Sequence, residues 1–186
     1  AARRAARPPA PASPSAGQKL VSASLTPKPT TLDLAGTTVN TWAYGDSVPG
    51  QLIRATAGDF LRVTVDNRLP ADTTVHWHGI RLRNAADGVP GVTQDPIKPG
   101  AKYVYEFTAP DPGTYFFHPH VGVQLDRGLY APLIIDTRGV YRERSFRVLP
   151  ATLREKYFTP VAGGWRVDPG LQARVHYRRA NLLDPD

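Results

Sequence analysis

The segment TTVHWHGIRL, residues 73–82, places two histidines on either side of one tryptophan in a chain that has only five histidines. In an extended strand, residues i and i+2 project from the same face, roughly 6.5–7 Å apart. His76 and His78 are therefore expected to share one face of a strand, while Trp77 points to the opposite face. The segment predicts a strand with two imidazoles on one side and an indole on the other.

The same spacing recurs in FFHPHVG, residues 116–122, where Pro119 separates His118 from His120. Because proline cannot donate a ladder hydrogen bond, we expect Pro119 on an edge strand or at a bulge, where a site can open to solvent. Two neighbouring strands that each present such a pair would bring four imidazoles together, and imidazole is a common ligand of copper and zinc. The pattern favours a metal site over two unrelated histidine pairs, but the spacing alone does not choose between a single ion and a multinuclear cluster.

Short segments of β-branched and aromatic residues indicate an all-β fold, because they alternate with a period of two and are separated by turns rich in proline and glycine. No window between residues 18 and 137 sustains a helical period. The predicted strands are VNTWAY (39–44), FLRVTV (60–65), KYVYEFT (102–108), TYFFH (114–118) and APLIID (131–136). The predicted core residues are Leu61, Val63, Val65, Tyr105, Phe107, Leu133 and Ile135. Strands at this spacing predict a β-sandwich or barrel.

The 186 residues are enough for one buried core, which we place at residues 18–137. Residues 1–17 contain only Ala, Arg, Pro, Ser, Gly and no large apolar side chain, and they predict a disordered tail without an intact signal peptide. Residues 138–186 are rich in arginine and predict a basic, poorly structured extension or a truncated linker, with one helical candidate at residues 150–158.

The net charge of +7 comes from the two ends, because residues 18–137 carry 10 Lys and Arg against 11 Asp and Glu. A basic surface on the folded part is therefore not expected, and this disfavours nucleic acid as a partner. The absence of cysteine excludes disulfides, thiolate nucleophiles and cysteine-containing metal sites. No apolar run is long enough to span a membrane, and the glycine-rich phosphate loop and the G-x-S-x-G elbow are both missing.

Residues 30–137 closely resemble the N-terminal cupredoxin-like domain of multicopper oxidases, the laccase-like enzymes. The resemblance rests on HWHG (76–79), DGVPGVTQ (87–94), the PG turn (99–100), GTYFFHPH (113–120), Gln124 and GLYAPLIID (128–136). It implies a Greek-key β-sandwich of the cupredoxin, plastocyanin-like type, with flexible extensions at both ends.

The resemblance also implies a copper site, in which His76 is similar to the ligand of the type 2 copper. His78, His118 and His120 are similar to ligands of the type 3 copper pair, with His78 and His118 sharing one ion. Asp87 is similar to an acid that assists proton delivery to bound oxygen species. The alternative for Asp87 is a turn role in the Asp-Gly pair.

The sequence departs from the family in having four of the eight cluster histidines and no cysteine for a type 1 copper. His176 stands alone and is predicted to be a surface residue. The chain by itself is therefore not expected to be a complete oxidase that reduces O2 to water. A second cupredoxin domain, or another chain, would supply the remaining ligands. The alternatives are a stand-alone copper-binding module in copper handling and a zinc site. The resemblance further implies export to the cell envelope or the extracellular space.

Overall fold

A computed structural model describes residues 13–137, 151–162 and 164–168 of the chain. The chain divides into two units, residues 1–136 and 137–186, and each is described by itself. In the described part of the first unit, the elements are strands and one short 3-10 turn at Asn84–Ala86. The strands are β1 (Leu20–Leu25), β2 (Pro27–Leu34), β3 (Thr37–Tyr44), β4 (Ile53–Thr56), β5 (Phe60–Asp66), β6 (His76–His78), β7 (Lys102–Thr108), β8 (Gly113–His118) and β9 (Ala131–Asp136).

The strands form two main sheets and a hairpin. One sheet has the order β1-β5-β7, in which β1 is parallel and β7 antiparallel to the central strand. The other has the order β4-β9-β8-β6, with a parallel β4–β9 pair and antiparallel pairs after it. Strands β2 and β3 pair as a separate antiparallel hairpin. Because strands close in sequence lie in different sheets, the chain crosses between layers repeatedly, as a cupredoxin-like sandwich requires.

The core lies between the two main sheets. Trp77 of β6 is fully buried, and its ring centroid lies 5.8 Å from that of Tyr105 and 4.9 Å from that of Phe107, both on β7 of the other sheet. Burying one such large apolar side chain stabilises a fold by about 1.5–3 kcal/mol. All seven predicted core residues are buried: Leu61, Val63, Val65, Tyr105, Phe107, Leu133 and Ile135. The odd-numbered residues of β5 therefore face inward.

The predicted strands are confirmed, and two of them, residues 102–108 and 131–136, match both ends of β7 and β9. Strands β1, β2 and β4 were not predicted. The β2 segment PKPTTLDL contains Pro27 and Pro29, which lower strand propensity. They are tolerated because, among the described strands, β2 pairs only with β3 and has one edge without a partner strand. Strand β4 has only four residues, too few to show a period clearly.

The described part of the second unit contains helix α1 (Ala151–Tyr157) and a hairpin of β10 (Phe158–Val161) and β11 (Gly164–Val167). The helix confirms the candidate at residues 150–158, and the hairpin was not predicted. The guanidinium of Arg154 lies 4.7 Å from the ring centroid of Trp165, so the helix and the hairpin touch through a cation–π contact.

Several predictions concern residues outside the described ranges. Residues 1–12 of the predicted tail lie there, as do residues 138–150 and 169–186 of the basic extension, including His176. Those predictions stay predictions. Among the described residues, no helix has both the length and the apolar character needed to cross a membrane.

Candidate metal centre

The two histidine pairs meet because β6 and β8 are antiparallel neighbours in the same sheet. Their register places His76 opposite His118 and His78 opposite Phe116. On the other face of the ladder Trp77 lies opposite Phe117, and both side chains are fully buried. The alternation of the strands thus separates an imidazole face from a core face, as the H-W-H spacing predicted.

All four rings converge. The closest pair of ring centroids, His76 and His120, is 4.1 Å apart, and the most distant pair in contact, His76 and His78, is 5.8 Å apart. The ring of His118 is close to the other two rings as well, with its centroid 5.1 Å from that of His120 and 5.4 Å from that of His78. One small volume at the sheet edge therefore holds four imidazoles.

The ring nitrogens fit a metal site. Each of His76, His118 and His120 offers one nitrogen, and these three atoms lie within 4.8 Å of one another. Nδ1 of His78 lies 3.2 Å from Nε2 of His118. Two nitrogens bound to one tetrahedral ion at about 2.0–2.1 Å lie about 3.3 Å apart, so this separation suits two ligands of one ion. The donor set is purely imidazole, which favours copper and zinc over calcium or magnesium.

Two backbone carbonyls fix which nitrogen of the ring is free. Nδ1 of His76 donates to the carbonyl oxygen of Asp87 at 2.8 Å, and Nδ1 of His118 donates to that of Pro119 at 3.0 Å. Because a carbonyl only accepts, the proton resides on Nδ1 in both rings and leaves Nε2 unprotonated, with a lone pair that a metal ion can take up. Metal-ligating histidines commonly carry such a partner on the second nitrogen.

The pKa values of two of the rings are lowered, which favours their neutral form. His118 is 7% exposed, and this burial lowers the pKa of its imidazole; the neighbouring His76 and His78 lower it further, against the opposing effect of the Pro119 carbonyl. The pKa of His120 is also lowered, first by desolvation and then by the charges that His76 and His118 would carry. Neutral imidazole is the form that binds a metal ion.

Asp87 lies beside the site, just after the 3-10 turn, and its carboxylate oxygen Oδ1 is 3.3 Å from Nδ1 of His76. Gly88 makes this approach possible. A Cβ on Gly88 would lie 1.8 Å from the carbonyl oxygen of Val75, and its φ of +74° also favours glycine. In the sequence, Gly88 is recognisable only as the second residue of an Asp-Gly turn pair, because its closeness to β6 is a tertiary property.

Two further residues near the site were not predicted to act there. The hydroxyl of Tyr105 accepts a hydrogen bond from the backbone N–H of Val75 at 2.9 Å and so anchors the residue before His76. The ring of Phe116 stacks on His78, with centroids 4.6 Å apart. The sequence did contain a signal for Phe116: it lies two positions before His118, and residues i and i−2 of a strand share a face, so Phe116 is expected on the histidine face.

The expectation for Pro119 needs a correction. Strand β8 is an inner strand that lies between β9 and β6, and it ends at His118. Pro119 therefore lies just past the end of an inner strand and not on an edge strand. The lack of an N–H on Pro119 still explains its position, because a residue that cannot donate a ladder hydrogen bond ends the strand. The edge position belongs to β6, which carries His76 and His78.

A cupredoxin-like sandwich with four converging imidazoles, two on an edge strand, one at the end of its neighbour and one just beyond that end, defines a candidate copper-binding or zinc-binding domain. Comparison with known proteins identifies its family. A sequence profile described as multicopper oxidase matches residues 27–139. The chain belongs to the multicopper oxidase family.

Individual relatives agree with this assignment. The multicopper oxidase MmcO of Mycobacterium tuberculosis is 53% identical over 118 residues, which cover 63% of this chain and 23% of that protein. A multi-copper oxidase from Pseudomonas thermotolerans has a similar structure, with a TM-score of 0.64, 37% identity and coverage of 68% of this chain and 32% of that one. A laccase from Botrytis aclada gives a TM-score of 0.61 at 38% identity, covering 64% and 23%. The chain thus spans less than a quarter of the length of MmcO.

Proposed function

We propose that this chain is the copper-binding N-terminal domain of a multicopper oxidase and that its four paired histidines supply half of an oxygen-reducing trinuclear copper cluster. In this assignment His76 binds the type 2 copper, and His78, His118 and His120 bind the type 3 pair. The observation that carries the proposal is the convergence of four imidazoles on one sheet edge. Family membership supports copper over zinc.

Copper ions in such a cluster would accept electrons taken from a reducing substrate and pass them to O2. The chain's own contribution is to prepare the ligands. The Asp87 carbonyl orients the ring of His76, and the Pro119 carbonyl orients the ring of His118. The Nε2 atom of each ring is therefore already positioned to bind a metal ion, and no change of rotamer is needed. Burial lowers the pKa of His118 and so favours the neutral imidazole, the form that binds a metal ion.

The remaining ligands would come from a second cupredoxin domain or from another chain. His78 and His120 are exposed in the described unit, which leaves a side of the imidazole cluster open to such a partner. The much greater length of the relatives supports this assignment. Export to the cell envelope or the extracellular space stays a prediction that follows from the family resemblance.

We further propose that Asp87 relays protons to the site. Its side chain is 32% exposed and lies 3.3 Å from Nδ1 of His76, so the carboxylate contacts both water and the cluster. Asp87→Asn keeps the backbone carbonyl and the ring orientation but removes the carboxylate. In the assembled oxidase we expect unchanged copper content and slower oxygen reduction with an altered pH profile. Equal activity and an unchanged pH profile would leave Asp87 with only a turn role.

Copper titration of the purified chain tests the main proposal. We expect the chain to retain Cu2+ against a weak chelator, with nitrogen hyperfine structure in its electron paramagnetic resonance spectrum. The double variant His76→Ala, His118→Ala removes both carbonyl-oriented ligands together, and we expect it to lose that retention. His176→Ala is the matched control, since it removes the fifth histidine, which stands outside both pairs.

Each outcome discriminates between functions. Retention that survives the double variant would overturn the copper assignment of these histidines. Preference for Zn2+ over Cu2+ would point to a zinc site. Full-affinity, stoichiometric copper binding with closed coordination in the isolated chain would favour a stand-alone copper-handling module over half of a shared cluster.

A further inference from the structure

His120 lies where the β-ladder no longer holds the chain. Strand β8 ends at His118, and Pro119 has no N–H to extend the pairing. Ladder hydrogen bonds fix His118 against His76, but they do not reach His120. Yet the ring of His120 is the closest of all to that of His76, with centroids 4.1 Å apart. Another set of contacts must hold His120 at this distance.

The first of these contacts is a side-chain hydroxyl. The backbone N–H of His120 donates to Oγ1 of Thr74 at 3.2 Å. Thr74 is fully buried and lies two residues before His76. Its neighbour Thr73 is tied to Ile97 by two backbone hydrogen bonds of 3.0 and 2.8 Å, so the segment that carries the Thr74 hydroxyl is itself fixed. The hydroxyl thus joins His120 directly to the chain that leads into His76.

The second contact is the buried amide of Gln124, which is 5% exposed. Nε2 of Gln124 donates to the carbonyl oxygen of Asp72 at 2.7 Å, and Oε1 accepts from the hydroxyl of Thr73 at 2.8 Å. Both ends of the amide therefore bind residues 72–73, just before β6. The backbone carbonyl of Gln124 also accepts from Leu129 N–H at 3.3 Å, which closes the turn after His120. The chain leaving His120 is thereby tied to the chain entering His76.

We propose that Thr74 and Gln124 are positioning residues that set His120 against His76 and so complete the three-nitrogen group of His76, His118 and His120. The inference rests on the proposed copper-binding function, and it adds two residues that do not themselves touch the metal. Loss of a partner that orients a metal ligand lowers metal affinity by about 10–100-fold. We expect a loss of this size when either contact is removed, with the fold intact.

Paired variants separate positioning from folding. Thr74→Val removes the hydroxyl at nearly constant volume, whereas Thr74→Ser keeps the hydroxyl. Gln124→Met removes the side-chain amide. Thr30→Val is the matched control, because the Thr30 hydroxyl donates to the Gly45 carbonyl at 2.9 Å on β2, outside the histidine cluster. Cu2+ affinity is measured by chelator competition, together with the electron paramagnetic resonance spectrum and the melting temperature of each metal-free variant.

We expect Thr74→Val and Gln124→Met to weaken Cu2+ binding about 10–100-fold with a changed nitrogen hyperfine pattern, while Thr74→Ser and Thr30→Val stay near the parent. If Thr74→Val binds copper like the parent, or loses affinity only in proportion to a fall in melting temperature that Thr30→Val shares, the positioning role is overturned.

A metal-free measurement keeps this inference distinct from the proposed function. The His120 amide should exchange with solvent faster in Thr74→Val than in the parent and Thr74→Ser, because it loses its acceptor. A parent chain that binds no copper would refute the proposed function whatever the exchange result. Unchanged exchange of the His120 amide in Thr74→Val would refute the positioning contact whatever the copper result.

Discussion

Nδ1 of His76 faces two acceptors of the same residue, the backbone carbonyl of Asp87 at 2.8 Å and its carboxylate Oδ1 at 3.3 Å. Asp87 follows His76 by eleven residues, so a loop and not the strand sets the orientation of this ring. The loop reaches the strand because Gly88 packs directly on the Val75 carbonyl. The tautomer of a candidate ligand therefore depends on one close backbone approach.

The close contact between Gly88 and the Val75 carbonyl predicts that Gly88→Ala strongly lowers the free energy of unfolding. The added carbon would lie 1.8 Å from the Val75 carbonyl oxygen, so the loop must shift and the Asp87 contact with His76 is lost. Gly91→Ala is the matched control, since Gly91 has nearly the same φ of +73° but, within the part of the chain that the structure describes, no atom within 4 Å of the added carbon. The control should cost about 1–2 kcal/mol of unfolding free energy.

Chemical denaturation and Cu2+ retention check this pair. We expect Gly88→Ala to cost clearly more than Gly91→Ala and to weaken copper retention as well. Equal costs for the two glycines would mean that the loop does not press on Val75 in solution.

Tyr105→Phe tests the anchor before β6. The hydroxyl of Tyr105 accepts from the fully buried N–H of Val75, so its removal leaves a buried donor without that partner. Such a loss costs about 1–3 kcal/mol. Denaturant unfolding measures it, and the half-buried neighbour Tyr103→Phe is the control with an expected change of less than about 0.5 kcal/mol. A parental stability for Tyr105→Phe would contradict the hydrogen bond.

Trp77 is predicted to contribute to the stability of the sandwich and not to metal binding. Its ring contacts Tyr105, Phe107 and Phe117, so Trp77→Ala should lower the free energy of unfolding by about 3–5 kcal/mol. Trp77→Phe should cost less, because most of the ring is kept and the buried Nε1 has no hydrogen-bond partner among the described residues. Thermal melts rank the two variants, and the reverse order would show that the indole N–H matters.

The lowered pKa of His118 predicts a pH dependence of stability in the metal-free chain. The unfolded chain protonates this ring near its ordinary pKa of 6.5, whereas the folded chain resists until a lower pH because of burial. The free energy of unfolding should therefore be insensitive to this group above pH 6.5 and should fall as the pH drops from 6.5 towards the folded pKa.

Denaturation curves at a series of pH values test this sign, with His118→Gln as the reference variant. Subtracting the reference removes the contribution of carboxylates, which titrate at lower pH. A parent that gains stability relative to His118→Gln on acidification would contradict the assignment.

Sequence patterns identified the strands with a clear period of two and a large apolar content, such as β7 and β9. They missed β2, because its prolines lower strand propensity in any local reading. They also missed β1, whose LVSASL segment places small serines at alternate positions and is held by parallel pairing with β5. Propensity is local, whereas pairing with a partner strand is a tertiary event.

For the candidate site, too, local sequence patterns predicted some features and missed others. The two H-x-H spacings put each pair of rings on one strand face, since the period of a strand is fixed by backbone geometry. The spacing could not tell that Asp87 presents its carbonyl to His76, nor that Thr74 and Gln124 hold the chain around His120. Each of these contacts joins residues that are far apart in sequence, and no local pattern encodes the distance between them.

By itself, then, the sequence determined an all-β domain at residues 18–137, a set of apolar core residues and the four imidazoles that come together. Only the tertiary structure decided the register of β6 against β8, which places His76 opposite His118, and the loop contact from Asp87 that leaves Nε2 of His76 unprotonated. The reason is physical: side-chain direction follows from local backbone period, but register and ring orientation follow from close packing between segments that meet only when the chain is folded.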